Sequence, residues 1–445
     1  MFILIAHYSS SLPVRVTFSH EPATPIPPKR YTAYLQQNSI QQMSLNRRKE
    51  MEVVQEKLRI EAALFCDKYV SPSVPIDYFN ILHARLEEGA PLRGYFVEVF
   101  KRYVQGEGAA IRLHERFMGI QLPFVLEVLI TILYYDNQIY DKKFGVIDNQ
   151  SIAENLIKRN KLYDALLKYI RKDVENKDVA EDLTDFVQEM HEMVNTGQEW
   201  ERKYNHYDSW TGNKMNSESI NFFEASDRKI NNSVIEEVKK TIIQVHPIPI
   251  EKSMFFDAYL SRIYLTNASL FAKTAAFILR YSSLNCESKE KLQHFSGVFG
   301  MILQIVNDNG DFVPASEELT TSSKISADAL SDLRNMNITL PISLHLIRKK
   351  ESKIKAFLDS GGLESAYVSG EVYSDEIAES HAIYYAMKIG KKLEKQVLLL
   401  LNAQNPAFEN FKDMASVAQN NKYYRYFYGL KEQYKGYQKS KTSPS

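Results

Sequence analysis

Residues 295–311 read FSGVFGMILQIVNDNGD, and this stretch decides the fold class. Its first part is almost entirely apolar, and its last part carries amide and acidic side chains. Ser288 upstream is a typical N-cap residue, and Gly310 is typical of the position just past a helix end. The stretch therefore predicts a buried helix that begins near Ser288 and has its polar side chains in the last turns.

A second stretch has the same organisation. The apolar run 124–133 is followed by YYDNQIYD at 134–141, and Pro123 predicts the first turn of its helix. A helix C-terminus carries about half a negative charge, which favours a cation. Carboxylate and amide oxygens suit hard cations such as Mg²⁺, which keeps several waters and takes further ligands from substrate phosphates. Together the two clusters predict a metal-bridged phosphate or diphosphate site.

Helical spacing indicates which of these side chains can act together. Asn307 and Asp311 lie about 40° apart around an α-helix, and Gln304 and Asp311 about 20° apart, so the three share a face. Asp308 lies at the margin of that face. In the first cluster Asp141 is about 140° from Asp136, so it reaches the same metal only if the helix ends or forms a π-bulge there.

A third segment, 254–279, is apolar on most helical faces and is interrupted by Lys273. A buried ammonium group is costly unless it meets an anion. The position of Lys273 therefore predicts a contact with a phosphate group.

Composition excludes several classes of protein. The 445 residues include only 17 Gly and 15 Pro, which disfavours a turn-rich β architecture. The 55 basic and 55 acidic residues cancel, so no overall charge attracts the chain to nucleic acid or to an anionic membrane. Cys66 and Cys286 are too few for a disulfide framework, and they favour a reducing compartment and a cytoplasmic location. The apolar start, 1–6, is too short to span a membrane.

The chain is predicted to form one large domain. Residues 1–42 contain five of the prolines and are expected to be a poorly ordered leader, with the working protein starting near Met43 or Met51. Residues 43–430 are predicted to be the all-α domain. Residues 431–445 are predicted to be a polar tail.

Two segments resemble motifs of the trans-isoprenyl diphosphate synthases. Residues 300–311 (GMILQIVNDNGD) resemble the motif GxxFQxxDDxxD, and residues 331–341 (SDLRNMNITLP) resemble SDLxxGKxTLP. Lys273-Thr274 resembles the Lys-Thr pair that contacts diphosphate in the family, and Gly197-Gln198 resembles its Gly-Gln pair. Residues 136–145 resemble the first Asp-rich motif.

The resemblance implies a single all-α barrel of helices around a deep apolar cavity, with two Mg²⁺-binding motifs facing each other at its mouth. The cations would hold an allylic prenyl diphosphate, with isopentenyl diphosphate as a second substrate. A homodimer, or a heterodimer with a related synthase, is also implied. The implied metal ligands are Asp136, Asn137, Asp141, Asn307, Asp308 and Asp311. The implied substrate-binding residues are Arg93, Lys273, Thr274, Gln304, Lys324 and Arg334, and Asp136, Lys273 and Asp308 are the implied catalytic residues.

The sequence departs from the family pattern at several positions. Asn137 and Tyr140 stand where the first motif has Asp, and Asn307 replaces the leading Asp of the second motif. In the segment 89–93 (GAPLR), Arg93 is what remains of a basic group that binds isopentenyl diphosphate in the family. Losing charge-assisted hydrogen bonds there weakens the case for a second diphosphate substrate.

Three functions are therefore weighed. The first is a prenyltransferase that elongates an allylic diphosphate, and the second is a terpene synthase that ionises one diphosphate without a co-substrate. The third is a non-catalytic homologue that pairs with an active synthase. In the family, residues shortly before the first motif help to set product length. Here these are Thr131 and Ile132, which favour a product longer than farnesyl.

Overall fold

The computed structural model describes residues 38–70, 91–140, 149–204, 228–246, 250–312, 330–361 and 370–415, together with Leu82, Leu86 and Tyr207. The predicted site residues Asp141 and Lys324 lie outside the described residues, as do 1–37 and 416–445. Asp136 and Asn137 lie in a described helix, but their side chains are outside the description.

The described part of the chain is helical, which confirms the predicted fold class. In chain order the helices are α1 (Asn38–Tyr69), α2 (Leu92–Gly106), α3 (Leu122–Tyr140), α4 (Asn149–Asp173), α5 (Lys177–Tyr204), α6 (Arg228–Val245), α7 (Ile250–Ile263), α8 (Ser269–Arg280), α9 (Cys286–Gly310), α10 (Ser331–Arg334), α11 (Leu340–Arg348), α12 (Lys353–Asp359), α13 (Gly370–Glu379), α14 (Ala382–Leu398) and α15 (Phe408–Ala415). Within the described ranges, the β-structure consists of one isolated bridge between Ile111 and Ser282.

Both helices that carry the polar clusters end close to where the sequence predicts. α3 ends at Tyr140 and α9 at Gly310. Pro123 lies in the first turn of α3, which begins at Leu122, as predicted, whereas the N-cap of α9 differs from the prediction. α9 begins at Cys286 because Asn285 is the N-cap, and its side chain accepts a hydrogen bond from the backbone N–H of Ser288 at 2.8 Å. Ser288 therefore donates its backbone N–H to the N-cap residue and is not itself the N-cap.

Two π-helical turns adjoin the α-helices of the described structure. One, Phe117–Gln121, leads directly into α3, and the other, Tyr264–Ala268, joins α7 to α8. The π-bulge considered for the first cluster is absent from α3, which is α-helical through Tyr140. π-turns are frequent at functional sites, and the second one packs against α9 at Gly300.

Two glycines allow α5 and α9 to approach the π-turn Tyr264–Ala268 from opposite sides. A Cβ on Gly197 of α5 would lie 2.8 Å from Leu265 Cβ. A Cβ on Gly300 of α9 would lie 2.5 Å from Ala268 Cα. Side chains at these positions would collide with the turn, so both glycines are explained by close helix packing.

The helices pack around two buried elements. α3 packs against α1, α2, α4 and α5, whereas α9 packs against α6, α7, α8, α11 and α14. α5 bridges the two groups because it contacts α3 on one side and α7, the π-turn and α8 on the other. This arrangement places the ends of α5, α7 and α9 around one site.

Aromatic rings fill the space between α2, α8 and α9. Phe271 lies edge-to-face with both Phe96 and Phe299, with centroid separations of 5.1 Å in each case. All three rings are fully buried. Such pairs contribute about 1 kcal/mol each beyond the burial of their surface. In the described structure these rings therefore serve as core packing.

No described helix is both long enough and apolar enough to cross a bilayer.

Unfolding is expected to become easier at mildly acidic pH because of His345. This side chain of α11 is completely buried, and burial lowers its pKa to about 4, although Glu376 at 3.9 Å opposes the shift. An unfolded histidine titrates near pH 6.5, so the stabilising effect of a neutral His345 is present above that pH. It is lost as the pH falls towards 4, by up to about 3 kcal/mol.

This pH effect is measured by urea unfolding between about pH 7 and about pH 5. His345→Leu should flatten the pH dependence. The exposed His114, changed to Asn, is the matched control and should leave the dependence as in the unmodified protein. An equal slope for the unmodified protein and His345→Leu would contradict the assignment.

Candidate active site

The polar side chains at the end of α9 fall into two groups, one buried and one partly exposed. Gln304 and Asp308 are buried, with exposed fractions of 8% and 1%. Asn307 and Asp311 are partly exposed. Gln304, expected to share a face with Asn307 and Asp311, instead donates from Nε2 to Asp308 Oδ1 at 2.7 Å. Asn307 and Asp311 are therefore the two side chains of the second cluster whose oxygen atoms are accessible in the described structure.

Asp308 uses both carboxylate oxygens inside the protein. Oδ1 accepts the hydrogen bond from Gln304. Oδ2 accepts one from the Tyr259 hydroxyl at 2.7 Å and lies 3.5 Å from Arg262 Nη2. The carboxylate is thus surrounded by donors from α7 and α9.

Arg262 connects this carboxylate to α5. Its Nη1 donates to Glu201 Oε1 at 2.9 Å, and its Cζ lies 5.5 Å from the centroid of the Tyr259 ring. Glu201 Oε1 also accepts from Asn337 Nδ2 at 2.8 Å. A buried network therefore joins α5, α7, α9 and the segment that precedes α11.

Burial and neighbouring charges both shift the pKa values of the residues in this network. Burial is the main cause that raises the pKa of the Asp308 carboxyl to about 6, and Asp332 adds to it, while Arg262 works against it. Burial also raises the pKa of Tyr259, so its hydroxyl stays protonated as a donor. Although burial disfavours its charge, the pKa of Arg262 is raised by Glu201 and Asp308.

The segment 330–337 is held against the end of α9. The backbone N–H of Leu330 donates to the Asp311 carbonyl at 3.0 Å, and that of Asp332 lies 3.3 Å from Asp311 Oδ2. Leu330 and Met336 have positive φ values of 61° and 56°. Bulky residues in this region cost about 1–3 kcal/mol each, and such strain clusters at functional sites.

Lys273 meets a carboxylate of the protein. Its exposed fraction is 8%, and Nζ forms an ion pair with Glu189 Oε1 of α5 at 2.5 Å. The anion that the sequence requires for this lysine is thus supplied, at least in part, by Glu189. Thr274 is also buried, and its hydroxyl donates to the Leu270 carbonyl of the same helix.

Arg93 lies at the start of α2 and points towards the π-turn. Its Nη2 donates to Asn267 Oδ1 at 3.0 Å, and its Cζ lies 5.6 Å from the centroid of the Phe271 ring. Asn267 in turn donates to the Gly300 carbonyl at 2.7 Å. Arg93 therefore takes part in the contact between α2, the π-turn and α9.

Of the remaining predicted residues, the structure describes the side chain of Arg334 alone. Arg334 is exposed at the end of α10. Asp136 and Asn137 belong to the last turns of α3. Among the described side chains, no three His, Cys, Asp or Glu residues are arranged to hold a metal by themselves. A Mg²⁺ ion at α9 would need ligands from the first cluster, from water or from a substrate.

Sequence reasoning missed Arg262, Glu201 and Tyr259. A signal for Arg262 was present, because it is a second basic residue in the apolar segment in which Lys273 was singled out. Nothing in the spacing predicts that Glu201 would face Arg262, since the two lie on different helices and meet only when α5 packs on α7.

Solved structures of isoprenyl diphosphate synthases have the same architecture. A polyprenyl synthase from Caulobacter crescentus, complexed with calcium and isoprenyl diphosphate, aligns with a TM-score of 0.56 at 14% identity, covering 86% of this chain and 98% of that chain. Geranylgeranyl pyrophosphate synthetase from Pyrococcus horikoshii Ot3 gives 0.56 at 14% identity, covering 83% and 98%. The chain has the isoprenyl diphosphate synthase fold. A heptaprenyl diphosphate synthase from Staphylococcus aureus shares this fold at 18% identity, with a TM-score of 0.51 and coverage of 83% and 98%.

Sequence comparison supports the same resemblance over a shorter region. A stretch of 148 residues is 29% identical to solanesyl-diphosphate synthase 2, chloroplastic, from Oryza sativa subsp. japonica. The match spans 33% of this chain and 34% of the rice protein, so it covers about a third of that relative's length. No protein-family model matches the chain. The resemblance to isoprenyl diphosphate synthases predicted from the motifs is confirmed by these two comparisons.

Proposed function

We propose that the chain is a Mg²⁺-dependent isoprenyl diphosphate synthase that elongates an allylic prenyl diphosphate. One observation carries the proposal. At the end of α9, Asn307 and Asp311 are partly exposed beside a cluster in which the buried Arg262 contacts Glu201 and Asp308 and its charge is also affected by Asp332. Among the described side chains of this cluster the acidic groups exceed the basic one, which favours binding of a cation.

The residues fit Mg²⁺ because they offer oxygen ligands on a partly exposed helix end. Asn307 and Asp311 would hold it from α9, and Asp136, with Asn137 and Asp141, from the end of α3. Bound there, Mg²⁺ neutralises charge that develops on a leaving pyrophosphate. Asp308 and Gln304 would support the ligands from behind, since both are buried and bonded to each other.

The basic residues are assigned to the diphosphate. Lys273, with Thr274 beside it, would exchange its contact with Glu189 for a phosphate oxygen. Lys324, Arg334 and Arg93 would also bind diphosphate oxygens, with Arg93 contributing to an isopentenyl diphosphate site. Charge-assisted hydrogen bonds of this kind are about twice as strong as neutral ones. The aromatic residues of α8 and α9, which form part of the core, would also help to keep water from a carbocation.

The proposal is tested by incubating the protein with Mg²⁺ and geranyl or farnesyl diphosphate, with and without isopentenyl diphosphate. A longer prenyl diphosphate that forms only with isopentenyl diphosphate is the expected result. A hydrocarbon or alcohol that forms without it would identify a terpene synthase. Absence of any product would identify a non-catalytic homologue, and co-purification with a related synthase would then be examined.

Thr131→Phe is expected to shorten the product. Thr131 of α3 is completely buried, and its hydroxyl donates to the Glu127 carbonyl at 2.9 Å. A phenyl ring there would fill the space that a growing chain needs. The product distribution is measured by chromatography of dephosphorylated prenols. Thr131→Val, which has nearly the same volume, is the control, and identical products from both variants would contradict this position for the cavity wall.

The resemblance also supports a dimer, formed with a second copy or with a related synthase. We further propose a cytoplasmic location, supported by the two cysteines, which are both free. Light scattering of the purified protein tests the first proposal, and fractionation of cells that express the tagged protein tests the second.

A further inference from the structure

Arg262 is a buried charged residue to which the proposed function gives no role. We infer that Arg262 is a positioning residue that acts as the internal counter-ion of Asp308 and so keeps this carboxylate away from the metal. Asn307 and Asp311 are then the ligands that α9 offers. The inference rests on the proposed function, because it concerns the same metal site.

Asp308 is fixed by three donors on two helices. Oδ1 accepts a hydrogen bond from Gln304. Oδ2 accepts one from the Tyr259 hydroxyl and forms an ion pair with Arg262. Its exposed fraction is 1%, whereas Asn307 and Asp311 on the same helix end are partly exposed. Three of the roughly four acceptor sites of the carboxylate are thus used inside the protein, and burial separates it from the partly exposed face that carries Asn307 and Asp311. Its present role is therefore that of an internal acceptor.

The guanidinium of Arg262 suits the counter-ion role. Its Nη1 and Nη2 point to different carboxylates, Glu201 and Asp308, and the group has an exposed fraction of 6%. The planar guanidinium of an arginine can donate hydrogen bonds to two carboxylates in fixed directions. A lysine ammonium has no such fixed geometry. Arg262 therefore fixes the distance between α5 and the end of α9.

Glu201 extends this effect to the segment that follows the second cluster. Its Oε1 accepts from both Arg262 and Asn337. The same segment reaches Asp311 through the backbone of Leu330 and Asp332. A change at Arg262 is thus transmitted to Asp311 by two routes, through Asp308 along α9 and through Glu201 and Asn337.

Removal of the charge should have opposite effects on metal binding and on turnover. Without Arg262, Asp308 loses its counter-ion inside the protein, and a Mg²⁺ ion at the site can replace that counter-ion when the carboxylate turns towards it. Mg²⁺ should then bind more tightly, because a nearby positive charge is lost and a carboxylate is gained. Turnover should fall, because the metal and the diphosphate are no longer in the productive geometry.

The test uses Arg262→Met, which keeps the aliphatic length, and the double variant Arg262→Met/Asp308→Asn. Arg280→Met is the matched control, since Arg280 is an exposed arginine at the end of α8. Mg²⁺ binding in the presence of inorganic pyrophosphate is measured by calorimetry on the full chain. Turnover is measured with farnesyl and isopentenyl diphosphates, and circular dichroism establishes that each variant is folded at the assay temperature.

The expected result for Arg262→Met is Mg²⁺ binding about fivefold tighter with turnover about a hundredfold lower. In the double variant Mg²⁺ affinity should return to within about twofold of the unmodified protein, because the freed carboxylate is gone. Arg262→Lys should keep the affinity and recover part of the turnover.

Three outcomes overturn the inference: weaker Mg²⁺ binding in Arg262→Met, unchanged turnover, or equally tight binding in the single and double variants. If Arg262→Met does not fold, the double variant, in which both charges of the pair are removed, decides the matter: turnover equal to that of the unmodified protein overturns the inference. If the unmodified protein binds no Mg²⁺ with pyrophosphate, the proposed function itself fails. The two failures are thus distinguishable.

Discussion

Asp311→Asn is expected to lower Mg²⁺-dependent turnover by about 10²- to 10³-fold. Asp311 is the carboxylate that α9 presents on its partly exposed face, directly after the helix end at Gly310. Its neighbour on that face, Asn307, offers only a neutral amide oxygen. On the proposed function, the substitution removes the one carboxylate that the second cluster exposes in the described structure.

The measurement is the dependence of turnover on Mg²⁺ concentration, with the fold verified by circular dichroism. Asp164→Asn on the exposed side of α4 is the matched control, because it makes the same chemical change far from the cluster. It should leave turnover unchanged. Equal Mg²⁺ dependence in Asp311→Asn and the unmodified protein would mean that Asp311 does not bind the metal.

Gly300→Ala is expected to lower the free energy of unfolding by about 3 kcal/mol. The added Cβ would lie 2.5 Å from Ala268 Cα and 3.0 Å from Phe271 Cδ2. The first of these atoms belongs to the backbone of the π-turn, so it cannot move aside as a flexible side chain would. α9 would have to shift away from the turn, which also strains the hydrogen bond from Asn267 to the Gly300 carbonyl.

Gly119→Ala is the matched control within the same chain. Gly119 lies in the other π-turn, and a Cβ there would meet no atom within 4 Å. Alanine favours helical conformations over glycine by up to about 1 kcal/mol, so this variant should be neutral or slightly stabilised. Urea unfolding of both variants gives the comparison. Similar destabilisation in both would show that α9 does not pack closely on the π-turn.

Local sequence signals predicted the ends of the two cluster helices and the first turn of α3, but not the N-cap residue of α9. Gly310 marks the end of α9 to within one residue, although the C-cap is Asp311, whose backbone angles are those of an α-helix. At the start of α9, two residues of similar capping ability, Asn285 and Ser288, stand three positions apart. The structure uses Asn285, with Ser288 as the donor, a choice that capping preferences alone do not make.

The candidate site was predicted only in part for a related reason. The pattern of residues 304–311 identified a polar helix end and its similarity to a metal motif, since this information lies within one helix. The assignment of Asp308 to the interior depends on Tyr259 and Arg262, which come from a different helix. The pairing of Lys273 with Glu189 likewise depends on α5 lying beside α8.

The sequence by itself determined the helical class, the two polar helix ends and the resemblance to isoprenyl diphosphate synthases. Hydrophobic periodicity, residues that end a helix and short motifs are all local properties of the sequence. Only the tertiary structure decided which oxygens of the second cluster are buried and which face outward. It also decided that Gly197 and Gly300 serve close packing around a π-turn. These outcomes depend on contacts between side chains far apart in the chain, and no local pattern encodes the distance between two helices.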